Sequence, residues 1–282
     1  MSDRKRVARR AKAIGVLTVG LAVAGCSSLG LDGATTGRSS GSQDRVLVET
    51  LSQMARDSEA RTRYPQAVDQ YSRLVEAAPE NEEYVLGLAR NLRYMGRPQE
   101  ALRQLRRALS EDRIDESLDV RIELARALAA TGAHSDAAAL VAEMRTQAPN
   151  DPRILALAGI LADRDGRHQA AQEAYRAVLA ANPDDLRTAN NLALSLALSG
   201  DLEQAIRLQT DTARHPAATL QMRQNLAVLY AFAGRMDMAE RVTRAILPEA
   251  QADRVLRDLA RMVGRGEAVP RPDVFGAGPT QP

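Results

Sequence analysis

The chain has 282 residues, 45% of them apolar and only 3% aromatic, with no tryptophan and a single cysteine. Its formal charge is +2, from 38 basic and 36 acidic side chains. That slight basic surplus invites a nucleic-acid reading, which the charge left after removal of residues 1–25 takes away, and one cysteine excludes an internal disulfide framework.

Arg4, Lys5, Arg6, Arg9, Arg10 and Lys12 make the opening basic. The apolar run from Ala13 to Gly25 is about half as long as a membrane-crossing helix needs, which predicts a signal-peptide core. Val23-Ala24-Gly25-Cys26 resembles a bacterial lipobox. The resemblance implies removal of residues 1–25 and lipidation of Cys26; an ordinary cleaved signal with an incidental cysteine is the other reading. Removal takes away six basic residues and Asp3, leaving 32 basic against 35 acidic side chains, a net charge of −3. Acyl chains contribute about 0.8 kcal/mol per buried methylene, so several of them hold a protein on its membrane. Ser27, where an aspartate would resemble an inner-membrane retention signal, implies the outer membrane with the protein facing the periplasm.

Residues 26–43 are rich in Gly, Ser and Thr and are expected to form a flexible tether. Residues 264–282, with four prolines and four glycines, are expected to be a disordered tail. Between them, residues 44–263 repeat. Gly96, Gly132, Gly166, Gly200 and Gly234 are separated by 36, 34, 34 and 34 residues. Five residues after each stands an alanine: Ala101, Ala137, Ala171, Ala205 and Ala239. Thr62 with Ala67 extends the series upstream, and Pro79, Pro149 and Pro183 each follow a turn position by 17 residues.

Glycine at the turn permits a left-handed backbone, proline ends the second helix, and the small alanine lets two helices approach closely. This punctuation resembles the tetratricopeptide repeat, a pair of antiparallel helices. Leu88-Ala89, Leu124-Ala125, Leu192-Ala193 and Leu226-Ala227 match its first helix. Tyr71, Leu105, Val141 and Tyr175 match the large position of its second. The expected fold is all-α, a right-handed solenoid of about six repeats near 48–81, 82–115, 118–151, 152–185, 186–219 and 220–253. Arg113 in place of proline and the extra residues Glu116-Ser117 predict an irregular junction. Pro248 arrives early, so a helix over roughly 249–263 is expected to cap the end with Val255, Leu256, Leu259 and Met262.

The resemblance implies a groove lined by the first helices that takes an extended peptide or a helix. Asn191 and Asn225 stand 34 residues apart at the same repeat position. They suit pairing with a peptide backbone, or simply reflect the consensus at that position. Arg56, Arg90, Arg93, Tyr94 and Arg126 are expected to line the first half of the groove. Asn190, Leu194, Leu198, Gln224, Val228 and Phe232 are expected to line the second. A partner with an acidic end and an apolar end would match this division. His134 and His168 follow turn glycines and are expected at the solvent edge, too far apart to share a zinc ion. No nucleophile elbow, phosphate loop or acid–base pair is recognisable. Accordingly no catalytic, cofactor, metal or small-molecule site is expected, and no nucleic-acid partner.

The layout of lipobox, short linker, repeats and polar tail resembles the TadD-type lipoproteins of tight-adherence (Flp) pilus assembly. That resemblance implies a non-enzymatic adaptor that helps an outer-membrane secretin localise or assemble. A type IV pilotin, a barrel-assembly accessory lipoprotein and a scaffold for cell-wall enzymes are the alternatives.

Overall fold

The computed structural model describes residues 39–266, with side chains from Arg45 onward. The chain divides into two units, residues 1–43 and 44–282. Residues 1–25, expected to be a signal segment, Cys26, nearly all of the expected tether and the residues beyond Gly266 lie outside the described residues.

The described chain is helical and contains no strand element. Helix α1 spans Ser39–Ala60, opening ahead of the expected start at residue 44, and pairs with α2 (Tyr64–Ala77). Four helix pairs follow: α3 (Glu82–Tyr94) with α4 (Pro98–Ser110), α5 (Leu118–Ala130) with α6 (His134–Gln147), α7 (Pro152–Arg164) with α8 (His168–Ala181), and α9 (Leu186–Leu198) with α10 (Leu202–Arg214). Helices α11 (Leu220–Phe232) and α12 (Met236–Ile246) make the last pair, and α13 (Glu249–Gly264) packs on both. The expected repeat starts at 82, 118, 152, 186 and 220 are the first residues of α3, α5, α7, α9 and α11, whereas 48 and 253 fall inside α1 and α13.

Two local devices set this frame. Each turn glycine has the left-handed backbone its position requires, from φ +72 at Gly96 to φ +95 at Gly200. The residue after it donates back over the end of the first helix, as Asp201 N does to Leu196 O at 2.9 Å. Thr62 occupies the same position with φ 57, and Arg63 N closes on Ser58 O at 2.8 Å. The first helices start on a side-chain cap. Asn81, Ser117, Asp151, Asp185 and Thr219 accept from the backbones of Tyr84, Val120, Arg153, Thr188 and Met222. The alanines at 67, 101, 137, 171, 205 and 239 are all 0% exposed, where the paired helices meet most closely.

The expected irregularity lies in the connection Glu111–Ser117. Asp112 takes φ 52, Ile114 tucks into the core, and Ser117 donates to Glu82 at 2.8 Å while capping α5. Two apolar cores meet at α5. Tyr71, Leu74, Leu88, Leu105 and Val120 belong to the first; Ile122, Leu128, Met144, Ile154, Tyr175 and Leu229 belong to the second. At the far end α13 buries Ala252 and Leu259 and packs Val255 against the second core, as a terminal cap must.

Candidate functional site: the face of the first helices

Helices α3, α5, α7, α9 and α11 pack side by side and so present one continuous face. One position of that face is read most simply down the repeats. Arg56, Arg90 and Arg126 are followed at the same register by Ile160, Leu194 and Val228. The face changes from guanidinium to aliphatic between α5 and α7.

At the basic end the arginines meet carboxylates from neighbouring repeats. Arg56 forks onto Glu83 at 2.8 and 3.2 Å, with both side chains largely exposed. Arg90 binds both oxygens of Glu59, the second at 2.9 Å. That hydrogen bonding raises the Arg90 pKa further above its ordinary value. Arg93 is buried, 3% exposed, and donates to Glu123 at 2.9 Å while lying 4.7 Å over the ring of Tyr94. Burial works to lower the Arg93 pKa, but Glu123 outweighs it and the net shift is upward. Tyr94 in turn packs on Tyr64, ring centres 5.1 Å apart.

Arg126 is the exception. Its contact with Glu123 is long, 3.5 Å, and that carboxylate already serves Arg93. Burial lowers the Arg126 pKa and the neighbouring Arg93 charge adds to the effect, with Glu123 opposing both. A cavity of about 480 Å³ opens beside it. Arg93, Tyr94, Arg126, Arg187 and Asn191 border this cavity, over a floor of Ala156, Leu157 and Ile160.

At the other end the polar groups bind one another. Asn190 accepts from Gln209 at 3.0 Å and from Asn225 at 2.8 Å, and donates to Asn191 at 3.4 Å. Gln209, 0% exposed, also donates to Met222 O at 2.7 Å, so these amides tie α9, α10 and α11 together. Asn225 therefore bonds within the chain, whereas Asn191, though 5% exposed, borders the cavity. Leu194 is 5% exposed and belongs to the core rather than to an open groove wall. Leu198, Val228 and Phe232 remain half-buried, and so does Gln224.

Sequence reasoning placed His168 at the solvent edge, and the structure corrects this. Its Nδ1 meets Asp163 Oδ1 at 2.8 Å. Asp163 is 2% exposed and also accepts from Tyr175 at 3.1 Å and Ser195 at 2.6 Å. A buried carboxylate needs such donors, and a histidine just beyond the turn glycine is near enough to supply one. His134 is half-buried, its pKa lowered by burial first and by Arg164 second. Among the described residues no cluster of three or more His, Cys, Asp or Glu side chains is arranged to hold a metal.

Residues 92–161 and 157–219 match tetratricopeptide-repeat family models. A thermophilic tetratricopeptide protein of Thermus thermophilus superposes with a TM-score of 0.58 at 18% identity, over 64% of this chain and 98% of that one. A tetratricopeptide-repeat protein from Parabacteroides merdae superposes with a TM-score of 0.53 at 17% identity, over 78% of this chain and 87% of the other. An uncharacterised Sinorhizobium fredii protein, y4yS, is 36% identical over 88 residues, which is 31% of this chain. The chain spans about half the length of that curated relative, 48%. At these identities the solved structures show the fold alone, a solenoid of helix pairs like those of tetratricopeptide-repeat proteins.

Proposed function

We propose that this tetratricopeptide solenoid is a lipid-anchored adaptor of the bacterial envelope that holds a segment of a protein partner on its first-helix face. The observation that carries the reading is the cavity between α5 and α9, open beside a guanidinium that its own repeat neighbours do not fully neutralise. A packed polar group normally finds its partner inside the fold. Here part of the pairing capacity borders an open hollow, and farther along the face Leu198, Val228 and Phe232 are half-buried.

The lipobox-like Val23-Ala24-Gly25-Cys26 supports anchoring through Cys26, with the solenoid on the periplasmic side of the outer membrane. The resemblance to TadD-type lipoproteins supports a secretin of the tight-adherence pilus as the partner. The work is non-covalent: the anchor confines the solenoid to the membrane, and the groove captures the partner segment there. Confinement raises the effective concentration of the groove near a membrane-embedded channel without any new contact.

The test is genetic and biochemical. Replacing Cys26→Ser should release the protein from the outer-membrane fraction, and deleting the chain should abolish surface pili and assembled secretin while cell shape stays normal. Altered septation or shape with intact pili would sink the pilus reading in favour of a cell-wall scaffold.

A further inference from the structure

We infer that the cavity between Arg126 and Arg187 seats a side-chain carboxylate of the partner, and that the partner continues with apolar side chains over Leu198, Val228 and Phe232. This rests on the groove reading above and specifies the chemistry of its occupant.

Four arginines border the cavity, and their pairing separates them. Arg93 has Glu123, and Arg153 has Asp119 and Asp151, the latter at 2.8 Å. Asp151 and Asp185 also cap α7 and α9, so their oxygens are engaged by Arg153 N at 2.8 Å and Thr188 N at 3.1 Å. Among the described residues Arg126 has the shared carboxylate of Glu123 alone, at 3.5 Å. Arg187 has no carboxylate partner among the described residues, and its charge lies within electrostatic reach of Tyr64 on α2. The partly buried Arg126, with its one long contact, and the solvent-exposed Arg187 thus border one apolar-floored hollow.

A carboxylate meets that demand better than any neutral group. Guanidinium forks donate two parallel N–H bonds to its two oxygens, and the low-dielectric floor of Leu157 and Ile160 strengthens them. A nucleic-acid backbone fits poorly. It would need cations to continue along the face, and at that register the face turns to Ile160, Leu194 and Val228. A protein segment with an acidic residue followed by aliphatic or aromatic ones matches both parts. The change of composition also fixes its direction, with the acid over α5–α9 and the apolar residues over α9–α11.

The test starts from the purified full chain and a phage-displayed library of random peptides, followed by affinity measurements on the recovered peptides. Recovered sequences should share one Asp or Glu with apolar residues to one side of it. Arg187→Glu should weaken them about three- to tenfold at low salt, less at high salt, and should itself select Lys or Arg in place of the acid. Arg126→Gln should weaken them as well, whereas Arg103→Glu on α4 should leave them unchanged. Recovery of apolar peptides without an acid, held equally well by the Arg187→Glu variant, would overturn the inference and leave the groove reading standing. Recovery of no peptide at all would overturn both.

Discussion

The two ends of the solenoid share one repeat frame and fill it differently. In the pairs from α1 to α5 ion pairs join the first helices, as in Arg90–Glu59 and the buried Arg93–Glu123, beside the neutral Ser52 and Asn91. From α7 to α11 the polar groups are mostly neutral amides and hydroxyls, with one buried carboxylate, Asp163, held by Tyr175, Ser195 and His168. The helix geometry does not dictate this choice, because turn glycines and buried alanines recur in both halves. What the repeat fixes is where two helices touch. What fills the space between neighbouring repeats is open to variation, and here it divides the face into a guanidinium region and an aliphatic one.

The sharpest way to break the comparison is to remove one charge from the buried pair. Glu123→Gln leaves Arg93 buried without its carboxylate, and such a loss costs about 3–5 kcal/mol. Urea denaturation should show it as a large drop in midpoint. Asp163→Asn, the corresponding change in the other half, removes an acceptor from three donors and should cost about 1–3 kcal/mol. Equal losses would mean that the two halves are stabilised alike.

Next in size are two close approaches to tyrosine rings. A Cβ on Gly159 would sit 2.5 Å from Tyr175, and one on Gly87 would collide with Tyr71. Overpacking of this kind costs about 1–3 kcal/mol, so Gly159→Ala and Gly87→Ala should each lower the unfolding midpoint. The two variants report on opposite cores.

Alkaline titration compares the same tyrosines. Burial, and then Glu59, push the Tyr71 phenol up to about 12, and burial followed by Asp163 raises that of Tyr175. An unfolded tyrosine titrates near pH 10, so the folded state binds these protons more tightly. Stability is then intact below about pH 10 and falls as pH rises beyond it. Tyr71→Phe and Tyr175→Phe should each flatten that alkaline decline, as urea midpoints collected across the pH range would register.

The smallest effect concerns a departure from the repeat. Thr62 adopts φ 57 where the other turns have glycine, and a β-branched residue there is strained. Thr62→Gly should raise stability by about 1 kcal/mol, while Gly200→Ala at φ +95 should lower it by about the same amount. Calorimetry of both variants would show opposite shifts.

The frame was legible because glycine and alanine act locally and recur at fixed spacing. The cap series Asn81, Ser117, Asp151, Asp185 and Thr219 follows that spacing too and could have been read from it. The division of the groove into basic and apolar halves was also visible. The pairing of the arginines was not, since Arg56–Glu83, Arg90–Glu59 and Arg93–Glu123 join residues 27, 31 and 30 apart on different helices. Which carboxylate an arginine meets depends on how neighbouring first helices are offset, a quantity that periodicity does not carry. For the same reason the amide network that ties Asn190, Asn191 and Asn225 into internal bonds is not readable from their 34-residue spacing. Nothing in the sequence marks Arg187 among the 36 arginines; only its place at the rim of the cavity does.

The central claim is that the first-helix face holds the partner. It is tested most directly by photocrosslinking in living cells, with the reactive side chain placed at Phe232 on α11 or at Arg103, an exposed residue of α4. Capture of a single protein species from position 232 and none from 103 is the predicted result. Capture from 103 alone, with both variants present in equal amount, would contradict the account and move the binding surface to the second helices.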